Sequence, residues 1–364
     1  MQFSQLVSEG VKSLSPYQAG KPIEELEREL GIQNIIKLAS NENPFGFPDS
    51  AKQAIIQQLN ELTRYPDANG FELKSTISRR FGVQPNQITL GNGSNDLLEL
   101  FAHTFVSEKD EIIYSQYAFI VYPLVTKAIN ATAREVPAKN WGHDLDAFLA
   151  AINEKTKLIF IANPNNPTGN FLTESEIDLF LANVPNNVIV VLDEAYTEFT
   201  QANERLDSFK LLQKYPNLIV SRSLSKAYGL AGLRIGYAVS NPEIAELLNR
   251  VRQPFNCNSL ALTAAVAVMN DDAFIEKVAE NNRLEMARYE TFCQAQGLEY
   301  IPSKGNFITI DFKCPATPIY DALLREGVIV RPIAGYGMPN HLRVSIGLPE
   351  ENDRFFKALI KVLT

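Results

Sequence analysis

The stretch NLIVSRSLSKAYGLAGLRIGYAVS, residues 217–240, places its few charges in an unusual way. A β-rich run, NLIV, leads into Ser223 and Ser225. Lys226 follows, and small and apolar residues then continue to Arg234, after which RIGYAVS reads as a second strand. A surface helix would set a lysine among other charges. Here the neighbours are Leu224, Ala227, Gly229 and Leu230, which suit close packing. Enclosing an ammonium disfavours its charged form. Lys226 is therefore either the cation of a structural salt bridge or an amine held for chemistry.

On the N-terminal side of this stretch, short β-rich runs alternate with helical patterns. Candidate strands are ITLGNG at Ile88, EIIYSQ at Glu111, KLIFIANP at Lys157 and NVIVVLDEA at Asn187. Several are continuous apolar runs, as strands covered on both faces require. Between them lie helical segments such as DLLELFAHTFV and ESEIDLFLANV; the second follows Thr173, an N-cap residue, with Glu176 three positions on as its capping-box partner. The alternation predicts an α/β fold, a mostly parallel sheet with helices on both faces. After about residue 250 the pattern changes. Helices are expected from Ser259 to Gln296 with a break near Asn270, followed by the β runs NFITIDF, VIVRPI and HLRVSIG, which form a smaller α+β domain. The expected division is an N-terminal arm over 1–30, a large domain over 31–250 and a small C-terminal domain over 251–364.

Composition narrows the function classes. The chain has 364 residues, 45% hydrophobic and 21% charged, which is enough for one large domain and a smaller one. A net charge of −8 argues against a nucleic-acid surface, which needs clustered Lys and Arg. Cys257, Cys293 and Cys314 lie far apart without a CxxC, and the histidines are His103, His143 and His341, so neither a metal site nor a disulfide framework is expected. Free thiols fit a reducing compartment. The N-terminal residues lack a basic region followed by an apolar core, and no apolar run is long enough to span a membrane.

In open α/β sheets, ligands bind beyond the carboxyl ends of the strands. The chemistry-bearing residues fall at such ends: Gly93, Ser94 and Asn95 after ITLGN, NPNNPTG after KLIFIA, Asp193 and Tyr196 at NVIVVL, and Ser223, Ser225 and Lys226 after NLIV. Each has a plainer reading. GNGSND is a glycine turn before a helix, or a helix start whose N–H groups hold a phosphate. NPNNPTG is a loop of turn formers. Asp193 needs a cationic or hydrogen-bonding partner if it is buried, and a structural pair with Lys226 would satisfy it.

Taken together, GSND, NPNNPTG, DEAY and SLSKAYGLAGLR resemble, in order and spacing, the fold-type I enzymes dependent on pyridoxal phosphate. NENPFG at Asn41, RYPD at Arg64 and the C-terminal RVSIG are similar to the histidinol-phosphate aminotransferase family within that group. The resemblance implies pyridoxal 5'-phosphate held as an imine by Lys226, with Asp193 keeping the pyridine nitrogen protonated. It implies that Tyr196 and Asn166 donate to the ring's phenolic oxygen. Ser223, Ser225, Arg234 and the N–H groups of Ser94 and Asn95 would hold the phosphate, joined by Tyr65 from a partner subunit. Phe119 would stack on the ring where many members carry tyrosine, so a hydroxyl hydrogen bond is lost there. Arg343 resembles the family's anion-binding arginine, Arg331 is a second candidate, and Tyr17 and Asn43 would line the substrate pocket.

The activity implied is transfer of an amino group between glutamate and imidazole-acetol phosphate, giving 2-oxoglutarate and histidinol phosphate, in histidine biosynthesis, by a cytoplasmic homodimer. An aromatic amino-acid aminotransferase and a threonine-phosphate decarboxylase share much of the pattern. A pyridoxal-phosphate-binding regulatory module without catalysis is the alternative from another class, and a globular protein with a structural Lys226–Asp193 pair is the plainest.

Overall fold

The computed structural model describes residues 3–17 and 20–364. Residues 1, 2, 18 and 19 of the expected N-terminal arm lie outside the described residues. The strands are β1 (Ile36–Lys37), β2 (Ile88–Gly91), β3 (Glu111–Ser115), β4 (Thr132–Val136), β5 (Thr156–Ala162), β6 (Ile189–Asp193) and β7 (Leu218–Ser223). Then come β8 (Gly236–Ser240), β9 (Glu299–Ile301), β10 (Phe307–Asp311), β11 (Val328–Ile329), β12 (Arg331–Pro332) and β13 (His341–Ser345).

The large sheet has seven strands in the order β2-β8-β7-β6-β5-β3-β4. Strands β3 to β7 pair in parallel, and β8 alone runs antiparallel, between β2 and β7. Strands β2, β3, β7 and β8 are buried at every position, which is why they read as unbroken apolar runs. One edge escaped the sequence reading. Strand β4, TAREV, is exposed at four of its five positions and carries no apolar run, yet it pairs with β3 over five residues. Backbone pairing to a strong neighbour makes it a strand, and its polar side chains suit an edge.

The helices follow their local signals. Glu174–Asn183 begins at Thr173, whose side chain accepts from the Glu176 N–H while Glu176 reaches back to the Thr173 N–H. The expected break near Asn270 separates helices Ser259–Met269 and Asp272–Gln296. The run VIVRPI, read as one strand, divides between two sheets. β11 pairs in parallel with β1, whereas β12 joins the edge of an antiparallel sheet ordered β12-β13-β10-β9. Pro332 lacks an N–H and is tolerated there because β12 is an edge.

Apolar side chains pack into separate clusters on either face of the large sheet and beneath the small one. Fully burying one Leu, Ile or Phe contributes about 1.5–3 kcal/mol. These cores make a rigid platform whose strand ends can hold polar groups at fixed positions.

Candidate active site

The carboxyl ends of β5, β6 and β7 open on one cavity of about 240 Å³. The wall includes Ser94, Asn95, Phe119, Asn166, Asp193 and Tyr196, and then Ser223, Ser225, Lys226 and Arg234. Tyr17, Arg331 and Arg343, also expected from sequence, line it too. Two expected residues lie elsewhere. Asn43 is not in the wall; its Nδ2 donates to the Ala227 carbonyl at 2.8 Å, bracing the turn after Lys226. Tyr65 is 82% exposed and stacks on Phe255 with ring centroids 4.7 Å apart.

Lys226 follows β7 in a turn whose tightness depends on Gly229, at φ +73, where an added Cβ would come within 1.9 Å of the Gly46 carbonyl oxygen. The lysine Nζ donates to the Ser40 carbonyl at 3.0 Å and has no ion pair with Asp193. Burial brings its ammonium down to about 8, and the Arg343 and Arg234 charges push the same way. The structural Lys226–Asp193 salt bridge is therefore not how either group is satisfied.

Asp193 ends β6 with a buried carboxyl. Its Oδ2 accepts from the Tyr122 hydroxyl at 2.9 Å, while Oδ1 has no partner among the described residues. Burial pushes this acid up to about 6, against the hydrogen bond from Tyr122 and the nearby Ala195 N–H, which favour the charged form. A buried, half-satisfied carboxylate is costly, and a cationic donor in the cavity would remove that cost.

Tyr196 presents a second unfilled valence. Its oxygen accepts from Asn41 Nδ2 at 3.0 Å and from Asn166 Nδ2 at 3.1 Å. With both lone-pair directions used, the phenol's own hydrogen is left to donate into the cavity. Burial raises this phenol to about 12, so it remains a donor at neutral pH. Asn166 Oδ1 in turn accepts from Arg343 Nη1 at 2.5 Å, and Asn41 Oδ1 accepts from Ser345 Oγ at 3.0 Å. Asn41, whose NENPFG context carried only a resemblance, and Tyr336, which also lines the cavity, were not singled out from sequence. Asn41 has a left-handed φ of +54, a conformation asparagine tolerates better than most residues. No sequence signal marks Tyr336.

A group of N–H and guanidinium donors gathers at one end. Gly93 caps the helix Ser94–Phe105, and an added Cβ there would lie 2.2 Å from Arg234 Nη2. The glycine therefore lets the guanidinium approach the helix start, where N–H groups favour an anion. Arg234 is held at a left-handed φ of +57 and its Nη1 donates to Ser225 Oγ at 3.2 Å. At the other end stand Arg343, which donates Nη2 to the Ala39 carbonyl at 2.8 Å, and Arg331, whose Nη2 donates to the Tyr17 hydroxyl at 3.2 Å.

A seven-stranded, mostly parallel sheet beside a small antiparallel sheet, with a lysine and an aspartate at adjacent strand ends in one cleft, defines the fold-type I transferase class. The chain belongs to the aminotransferase class I and II family, whose model matches residues 33–359. It is 83% identical over 363 residues, all of this chain and 99% of the relative, to histidinol-phosphate aminotransferase 2 of Haemophilus influenzae strain 86-028NP. It is 72% identical over all of both chains to histidinol-phosphate aminotransferase 2 of Pasteurella multocida strain Pm70. Among solved structures, it is similar to histidinol-phosphate aminotransferase from Sinorhizobium meliloti in complex with pyridoxal-5'-phosphate. That match has a TM-score of 0.89 and 28% identity, covering 98% of this chain and 97% of the other.

Proposed function

We infer that this chain is a pyridoxal-phosphate-dependent aminotransferase acting between glutamate and imidazole-acetol phosphate, giving 2-oxoglutarate and histidinol phosphate. The observation that carries the cofactor assignment is the unpartnered Asp193 Oδ1 in a cavity that also holds a buried lysine whose ammonium is brought down to about 8. The substrate assignment rests on full-length relatives up to 83% identical.

When bound, the cofactor supplies an aldehyde that takes up an amino group and a ring nitrogen that draws electrons from the reacting carbon. Asp193 Oδ1 would face that nitrogen and hold a proton on it. Tyr196, fixed by Asn41 and Asn166, donates its hydroxyl hydrogen to the ring oxygen. Phe119 covers the ring. Ser223, Ser225, Arg234 and the N–H groups of Ser94 and Asn95 hold the phosphate dianion, where charge-assisted bonds are roughly twice as strong as neutral ones. Lys226, whose ammonium burial brings down to about 8, moves a proton at the carbon that bears the amino group. Arg343, oriented by Asn166, clamps the substrate carboxylate with its bidentate fork. Arg331 and Tyr17 lie where a second anionic group, such as a phosphate ester, would meet them.

The same reading includes a homodimer to which Tyr65 contributes across the interface. The exposed Tyr65 and Phe71, which line one surface depression, support it, because neighbouring exposed apolar groups mark contact surfaces. It also includes a cytoplasmic location, which the free cysteines Cys257, Cys293 and Cys314 suit. No helix among the described residues is long and apolar enough to cross a membrane. The expected arm, large domain and small domain, divided near residues 30 and 250, remain part of the proposal. Helix Ser259–Met269 shares a core with Leu73, Leu90 and Tyr237 of the large domain, which favours a boundary after residue 269 over one near 250.

The test is turnover of histidinol phosphate, phenylalanine and threonine phosphate side by side, with 2-oxoglutarate as acceptor. Histidinol phosphate is expected to have the highest kcat/KM. Preference for phenylalanine, or release of carbon dioxide from threonine phosphate, would replace this reading with another on the same scaffold. Unchanged visible absorption of the pyridoxal-phosphate-loaded protein on adding glutamate would make it a binding module.

A further inference from the structure

On the face of the sheet away from the cofactor cavity lies a buried ion cluster that the chemistry above does not use. Successive residues of a strand point to opposite faces. Asp193 and Ser223 line the cavity, so their neighbours Glu194 and Arg222 are directed to the rear. There Arg222 Nη2 meets Glu194 Oε2 at 2.7 Å, and the Ser208 hydroxyl donates to the same oxygen at 2.8 Å. Glu198 is paired more weakly. Its Oε1 is 3.5 Å from Arg222 Nη1, and its Oε2 has no partner among the described residues. The Phe209 ring lies 4.9 Å from the guanidinium, and Arg222, Glu194 and Glu198 are all buried. The other titratable groups turned toward it are Arg80, paired with Asp272 at 2.6 Å, Arg205, and the phenols of Tyr228 and Tyr237.

The location matters more than the charge count. The parallel ladder between β6 and β7 runs out at Asp193 opposite Ser221, with one further backbone bond from the Glu194 N–H to the Ser221 carbonyl at 2.9 Å. Beyond it no backbone ladder joins β6 directly to β7, although Arg222 and Ser223 stay paired with Tyr237 and Gly236 of β8, and the Arg222–Glu194 bond ties the two strand ends one residue from each cavity-facing group. Stability alone does not call for such a pair, since buried ion pairs are often matched or exceeded by apolar residues of similar volume. What a directional ion pair adds is geometry.

We propose that the Arg222–Glu194 pair, with Ser208, is a positioning device that sets the spacing of Asp193 and Ser223 from behind the sheet. The proposal rests on the cofactor reading above. The pair touches neither substrate nor cofactor and acts through the two residues beside it.

The holoenzyme double variant Arg222→Met/Glu194→Leu separates positioning from stability, because it removes both charges together. In a Glu198→Gln background, which leaves no carboxylate facing the lost guanidinium, its thermal midpoint is expected to stay near that of the parent. Its kcat should fall at least about 10-fold with KM for glutamate changed less than about 3-fold. The pH midpoint of the bound cofactor's visible absorption should move by roughly half a unit or more, because Asp193 is displaced from the ring nitrogen. Arg222→Lys, which keeps the charge but loses the planar fork, should shift the midpoint the same way and serves if the double variant does not fold. Glu198→Gln should leave kcat and the midpoint within about twofold and 0.2 units, as its weak pairing implies. A folded double or lysine variant with parental kcat and midpoint would overturn the proposal, as would Glu198→Gln matching their loss. Failure of the parent itself to bind pyridoxal phosphate would instead refute the cofactor reading.

Discussion

Removing the Asp193 charge should stabilise the cofactor-free protein while crippling the loaded one. In the unfolded chain this carboxyl titrates at 3.8, whereas burial holds it to about 6 in the folded state. Between those values folding takes up a proton, so stability falls as pH rises through the window and the full cost is present above about pH 6. A displacement of roughly two pH units corresponds to about 3 kcal/mol. With an unfolding entropy near 2.1 cal/mol/K per residue over 364 residues, that is about 4 °C in thermal midpoint. Asp193→Asn keeps the shape and an acceptor for the Tyr122 hydroxyl but cannot ionise. Thermal unfolding of the two apo-proteins should therefore show a gap near zero at about pH 4 that widens to its full value at pH 7, with the variant the more stable. Adding pyridoxal phosphate should reverse the ranking, because only the carboxylate pairs with a protonated ring nitrogen. An apo variant no more stable than the parent at pH 7, or a gap that does not change with pH, would refute the reasoning.

Other outcomes follow from the same cavity. Lys226→Ala should abolish transamination, and in the parent the rate of cofactor uptake through this amine should rise with pH through about 8, as the deprotonated fraction grows; a rate flat across that range in stopped-flow absorbance would count against it. Arg343→Lys loses the fork that Asn166 orients, and forfeiting one charge-assisted bond worth about 2 kcal/mol should raise KM for glutamate roughly 30-fold, measured by steady-state kinetics. Trp141 is the chain's single tryptophan, 5.2 Å from Tyr117 and 5.0 Å from His341 by ring centroids, and His341 stands two residues from Arg343 on β13. Its emission should change saturably as glutamate engages Arg343 and stay constant in Arg343→Gln; unchanged parental emission during turnover would show that β13 does not transmit binding to this contact.

Whatever depends on neighbours along the chain was legible in the sequence. The apolar runs of β2, β3, β5, β6 and β7, the Thr173–Glu176 capping box and the helix break at Asn270 are local patterns, set by side-chain period and cap chemistry. The placement of Asp193, Lys226, Ser94 and Asn166 at strand ends followed from the same runs, and with it their convergence on one edge. The tertiary structure alone decided the rest. β4 became a strand through its neighbour, because an exposed edge has no apolar period to display. β8 turned antiparallel, and VIVRPI divided between two sheets, because strand partners are chosen by packing across the whole domain. Asn41 meets Tyr196 across 155 residues and Arg343 meets Asn166 across 177, contacts that no local window contains. The unsatisfied valences of Asp193 and Tyr196 are likewise a property of the assembled cavity, since an atom's lack of a partner depends on everything packed around it.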